Sequence, residues 1–208
     1  WHMADWTHSS GTIIRPYRSP LGAPQIRYFQ ESTCIATAVI KAGDIVSFDT
    51  VVTTGTRRIV RTPSSGGDST NLMQVGGGRS LIGVALENST SDGSVTGLSS
   101  NGSKLNSNIR QIAVAIADGH TEFLGYLSSL GVGPHVADSS LAGLTKAVIH
   151  DRTLGRWFID STNSTATFAA VVITDVPADN IGDSNGPVVF KFLSTNVSGA
   201  VAFSPSVT

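Results

Sequence analysis

A single cysteine, Cys34, rules out an intrachain disulfide, so what holds this 208-residue chain together must come from packing or from assembly. Charge is equally scarce: only 14% of residues are Asp, Glu, Lys or Arg, and they sum to −1. Long helices clothe their outer faces in Glu, Lys and Arg, so the shortage argues against them. It argues as well against a nucleic-acid surface, which needs clustered cations to displace counterions from phosphates. No apolar run is long enough to cross a bilayer as a helix, and the first residues lack the apolar core of a signal peptide. The expectation is a soluble chain made in a cytoplasm, with no membrane or nucleic-acid partner. Residues 1–3, WHM, read as a processing remnant.

What the chain has in quantity is glycine, 22 residues, among abundant Ser, Thr and Asn. That mix favours many short strands joined by small-residue turns, an all-β fold. Strands are expected over 35–40, 45–48, 51–54, 57–61, 81–86, 109–117, 121–127, 145–150, 156–160, 166–174 and 188–193. Lys41-Ala42-Gly43-Asp44 is a corner, because Gly43 tolerates positive φ and Asp44 bonds nearby backbone. Gly83 marks a place where a strand bulges or another backbone comes close. Asp118-Gly119, between two β-rich runs, is the strongest hairpin signal, and 145–160 reads as a second hairpin. The apolar 166–174 stretch reads as a central strand, and 177–187 as a long turn. Ser139 or Ser140 would cap a helical turn at 141–144. The low-complexity run 88–108 is either an exposed loop or a poor edge hairpin. No internal repeat is evident.

Residues 1–32 have no sustained period and read as an extended N-terminal arm, followed by a barrel over 33–193 and a tail over 194–208. The arm carries Arg15, Tyr17, Arg18, Arg27, Tyr28 and Phe29 with prolines that keep it extended, and Arg and Tyr are enriched where proteins grip each other. It is read as lying on a partner; the alternatives are a disordered leader or a strand tucked against its own domain.

Residues that could do chemistry are few. His120 and Glu122 share a face of a strand, which suits a metal or an acid/base pair, but two ordinary polar residues on an exposed hairpin explain the pattern better. His135 and His150 have no companion at ligand spacing, and one cysteine cannot build a thiolate zinc site. Asp175, Asp179 and Asp183 recur every four residues but lack the alternation and closing Glu of a calcium loop, so turn chemistry is the better account. The Gly76-Gly77-Gly78-Arg79-Ser80 loop lacks the Lys-Ser/Thr of a phosphate loop. No catalytic residue, metal or cofactor is expected.

The stretch AVIKAGDIVSF at 38–48, with SLIGVALE at 80–87 and the ending VVITDVPADNIGDSNGPVVFKFL at 171–193, resembles the small β-barrel, β-tulip-like head-decoration proteins of tailed phages. The resemblance implies a single small β-barrel of short antiparallel strands and a non-enzymatic role as a capsid decoration (cement) protein on the outer surface of a phage head. It implies a virion location, the major capsid protein as partner, and assembly as a homotrimer. The six arm residues named above would then be the capsid-binding anchors. Two other readings compete: a tail, fibre or adhesive module that stacks host carbohydrate on aromatics such as Trp6 or Trp157, and a subunit of a β-clip enzyme, whose SAF-like domains share the corner.

Overall fold

The computed structural model describes residues 13–20, 22–31, 40–48, 58–61, 81–88, 111–128, 135–151, 154–162 and 170–193. Over these the chain is all-β, as its composition implies. The strands are β1 (Arg15–Arg18), β2 (Ile26–Glu31), β3 (Ile45–Phe48), β4 (Arg58–Arg61), β5 (Leu81–Ala85) and β6 (Gln111–Ile116), then β7 (Glu122–Ser128), β8 (Thr145–Asp151), β9 (Arg156–Asp160), β10 (Val171–Asp175) and β11 (Pro187–Phe192). Single 3-10 turns lie at Ser139–Leu141 and Ala178–Asn180.

Strand pairing divides them into two rings. β2, β4, β3, β5 and β6 close into a barrel in that order, β6 returning to β2. The others form a sheet in the order β1-β7-β11-β10-β8-β9, and a parallel pairing of β7 with β9 turns five of its strands back on themselves. In this second ring β7, β8, β9, β10 and β11 take the places of β2, β3, β4, β5 and β6. Each ring has one parallel pair, between its first and third strands, and is otherwise antiparallel.

The correspondence extends to register. Laying Gly143 on Gly43 places the pair Val148–Ile159 on Phe48–Ile59 and the pair Thr145–Val172 on Ile45–Val84. The same overlay puts Ile173–Phe190 on Ala85–Val114 and Leu127–Ile159 on Glu31–Ile59. Since the pairings agree through the whole circuit, the rings share one stagger, and strand number with stagger sets tilt and diameter. The two corners match bond for bond. Gly43 and Gly143 have φ of +88° and +85°, and their N–H groups donate to Ala85 O and Ile173 O at 2.8 Å each. In return Ala85 N–H reaches Asp44 O at 2.9 Å and Ile173 N–H reaches Leu144 O at 3.0 Å.

Alternation drives the packing. Val46, Ile59, Ile112, Val114 and Ile116 are buried together in the first barrel with Phe29 and Phe48 against them. A larger cluster takes Ile45, Leu81, Val84 and Ala115 from the first ring and Phe123, Leu127, Val148, Ile159, Phe190 and Phe192 from the second. One continuous core therefore joins both rings. Gly83 behaves as its sequence position suggests: a Cβ there would lie 1.9 Å from the Ala115 carbonyl oxygen of β6.

Several expectations change. Asp118-Gly119 makes no hairpin, because β6 is already bordered by β5 and β2 while β7 pairs with β1, β11 and β9. It is the link between rings, stabilised by the Asp118 carboxylate accepting from the N–H groups of His120 and Thr121 at 2.9 and 2.7 Å. The span 1–32, read as an arm, supplies two strands to the body: β2 is a barrel stave, and β1 adds to the edge of β7. Pro16 is tolerated because β1 is an edge strand. The strands placed in one barrel over 33–193 are distributed over two rings. The helical turn comes early, at Ser139–Leu141, with Asp138 rather than a serine as its cap. The β8–β9 hairpin and the central position of β10, between β11 and β8, are as expected. Trp6, Cys34, residues 51–54, 74–80 and 89–108, and the tail from 194 lie outside the described residues.

Candidate functional site

A surface groove is built where β1 lies on β7. Arg15 faces Leu124, Pro16 faces Phe123 and Arg18 faces Glu122, so one residue too many, Tyr17, is accommodated in a bulge. Bulges re-aim side chains. Here Tyr17, 49% exposed, lines an open groove of about 690 Å³ together with Arg15, Tyr126, Asn180, Asp183 and Asn185.

Charge pairing fixes β1 in place. The Arg18 Nε–H donates to Glu122 Oε2, its Nη2 lies 3.5 Å from Asp175 Oδ2, and its guanidinium sits 5.4 Å from the Tyr17 ring centroid. Lys191 Nζ approaches the other Glu122 oxygen at 3.7 Å. Burial pushes the Glu122 carboxyl up, but the hydrogen bond and charge of Arg18, with Thr174 and Lys191 behind them, hold it below the usual carboxylate range. The same hydrogen bond, donated to the Glu122 carboxylate, raises Arg18.

The opposite side of the groove is a braced turn. Asn180 Nδ2 donates to Asp183 Oδ2 at 2.9 Å, and Asn185, in the left-handed region at φ 53°, exchanges two bonds with His135. Its Oδ1 accepts from His135 N at 3.0 Å and its N–H donates to His135 O at 2.6 Å. Among the described residues the groove is lined by one arginine, one aspartate, two asparagines and two tyrosines.

Of the six proposed anchors, Arg15, Tyr17 and Arg18 stand together on β1 against the second ring, whereas Arg27, Tyr28 and Phe29 lie on β2 of the first. Arg18 is tied to Glu122 and Asp175. Phe29 packs edge-on against Phe48, centroids 6.1 Å apart, and belongs to the core margin. Arg27 is half-buried, while Tyr28 is 64% and its neighbour Ile26 50% exposed.

The chemical candidates are dispersed. Glu122 turns to Arg18 and Lys191, while His120 is exposed and is held through its backbone N–H by Asp118. Asp175 pairs with Arg18, Asp183 with Asn180, and Asp179 sits exposed in a 3-10 turn, so the three do not converge. Among the described residues no three His, Cys, Asp or Glu side chains form a metal-holding group. His150 is buried with its ring 4.8 Å from Trp157, which at 2% exposure offers no face to a sugar. The expectation that no serine sits in a G-x-S-x-G pattern is wrong at one place, since residues 182–186 are Gly-Asp-Ser-Asn-Gly. A nucleophile elbow is a strand-to-helix turn with the serine strained; here the segment leads from a 3-10 turn into β11, and the residues at positive φ are Gly182 and Asn185, not Ser184. Tyr126, Asn180 and Asn185 carried no signal as a site, since one reads as an ordinary strand residue and the others as turn formers.

Comparison with protein-family models, with curated proteins and with solved structures finds no match to this chain.

Proposed function

We propose that this protein is a non-enzymatic capsid decoration protein that binds the outer surface of a phage head and stabilises it. The observation that carries the reading is that the first two stretches behind the resemblance are one structural unit. The KAGD corner and the GVAL strand, far apart in sequence, are hydrogen-bonded to each other through Gly43, Asp44 and Ala85. The third stretch is the β10–β11 pair of the second ring. A shell lattice offers many equivalent sites, so each copy needs only a modest contact, multiplied when copies associate as trimers at local three-fold positions. The partner is the major capsid protein, and Tyr28 with Ile26 on the first ring are the exposed anchors available to it.

Deleting residues 4–32 would remove a barrel stave, so point substitutions are the sound test. Purified protein mixed with undecorated shells should co-sediment to saturation, and Tyr28→Ser with Ile26→Ser should weaken binding while the melting profile stays unchanged. Absence of co-sedimentation by the unaltered chain would remove the reading.

A further inference from the structure

We propose that the groove between β1 and the 177–187 turn is a binding site for a short chain of neutral hexose units, a capacity separate from shell binding. Its volume of about 690 Å³ falls within the range of about 300–1,000 Å³ typical of small-ligand sites. A hexose has two chemical surfaces, a patch of C–H groups on its ring face and a rim of hydroxyls that both donate and accept. The groove supplies a counterpart to each. Tyr17, 49% exposed, and Tyr126, half-buried and packed also against Ala147, Ile149 and Phe158, line it, and a phenol side chain presents a broad apolar face and a polar tip. Asn180 and Asn185 add amides able to donate and accept, Asp183 accepts, and Arg15 donates through a planar fork suited to neighbouring hydroxyls.

Charge decides the ligand class. Among the described residues one Arg and one Asp line the groove, so their charges cancel and neither a sulfated nor a carboxylated sugar is favoured. Arg18, beside Tyr17, is occupied by Glu122 and Asp175. Preorganisation also favours binding, because little is left to order on association. The Arg18 guanidinium against Tyr17 limits that ring, and the paired bonds of Asn185 to His135 brace the opposite side.

The test is a titration of the full chain with maltotriose, cellotriose and chitotriose, read by calorimetry and by backbone amide shifts, with 3′-sialyllactose as the anionic control. At least one neutral trisaccharide should saturate with a dissociation constant of about 1 mM or tighter, its shifts confined to residues 15–17, 124–126 and 180–187. Tyr17→Phe should keep the affinity, and Tyr17→Ala should weaken it about tenfold, close to the energy of one aromatic contact. Because Tyr17→Ala also removes the Arg18 contact, Asn180→Ala on the other side of the groove provides a second reading and should weaken binding several-fold. No saturable binding of any neutral trisaccharide, shifts centred elsewhere, tighter binding of sialyllactose, or wild-type affinity in both alanine variants would each overturn the proposal. The shell assay is unaffected by any of these results, so the two readings fail separately.

Discussion

The two corner glycines allow the equivalence of the rings to be tested by unequal costs. Gly43 and Gly143 have nearly the same φ, +88° and +85°, and the same hydrogen-bond partners, so alanine at either meets the same backbone strain. Left-handed backbone costs an L-residue about 1–2 kcal/mol, and alanine regains about 0.4–1 kcal/mol by restricting the unfolded chain. Gly143→Ala should therefore destabilise by about 1 kcal/mol, since a Cβ there meets nothing within 4 Å. At Gly43 the added Cβ lies 2.8 Å from Ile13 Cβ and 3.3 Å from Ile14 O. Those are a side-chain stem and a backbone atom, which cannot swing aside, and such overpacking costs a further amount of about 1–3 kcal/mol. Gly43→Ala should then lose about 2–4 kcal/mol. Urea unfolding followed by far-ultraviolet dichroism measures both. Because one apolar cluster spans the rings, each variant should shift a single common transition. Equal losses, a stabilising Gly143→Ala, or two transitions that respond separately would refute the reasoning.

Gly83→Ala should cost about 3 kcal/mol or more, because a Cβ 1.9 Å from Ala115 O forces β5 off β6, and the loss should appear in amide exchange along both strands. Glu122→Gln should cost about 1–2 kcal/mol, kept modest because Arg18 is half exposed to solvent. The folded Glu122 carboxyl lies below its ordinary value, so its contribution is present above the usual glutamate range near about 4.3 and disappears as pH falls through the folded value. Wild type and Glu122→Gln should accordingly converge in acid, and a gap that widens on acidification would contradict the pairing.

Much of the architecture was legible because period-two apolar alternation and turn chemistry are local. β3, β8, β9, β10 and β11 fall where apolar runs are bounded by Gly or Asp, β5 is a short aliphatic run, and the Gly83 approach follows from a missing side chain in a buried strand. The duplication was not legible. A barrel wall asks only that alternate residues be apolar, so Phe48 and Val148, or Val114 and Phe190, serve the same position without sharing identity. Beyond Ala42-Gly43 and Ala142-Gly143, where a left-handed corner demands glycine, little forces the halves to look alike. Asp118-Gly119 shows the same limit, for a turn dipeptide states that the chain bends and says nothing about which strands then pair.

The proposed site divides in the same way. Sequence alone determined that Arg15, Tyr17, Arg18 and Tyr28 form a cationic, aromatic segment, because those identities are written in the chain. Only the tertiary structure decided their fates: Arg18 is drawn to Glu122 from more than a hundred residues away, Phe29 to Phe48, and Tyr17 is turned by a one-residue bulge toward Asn180 and Asn185. Local propensity sets whether a segment extends or turns, whereas which strand lies beside which is settled by closing each ring around buried apolar side chains, one cluster of which joins the two rings.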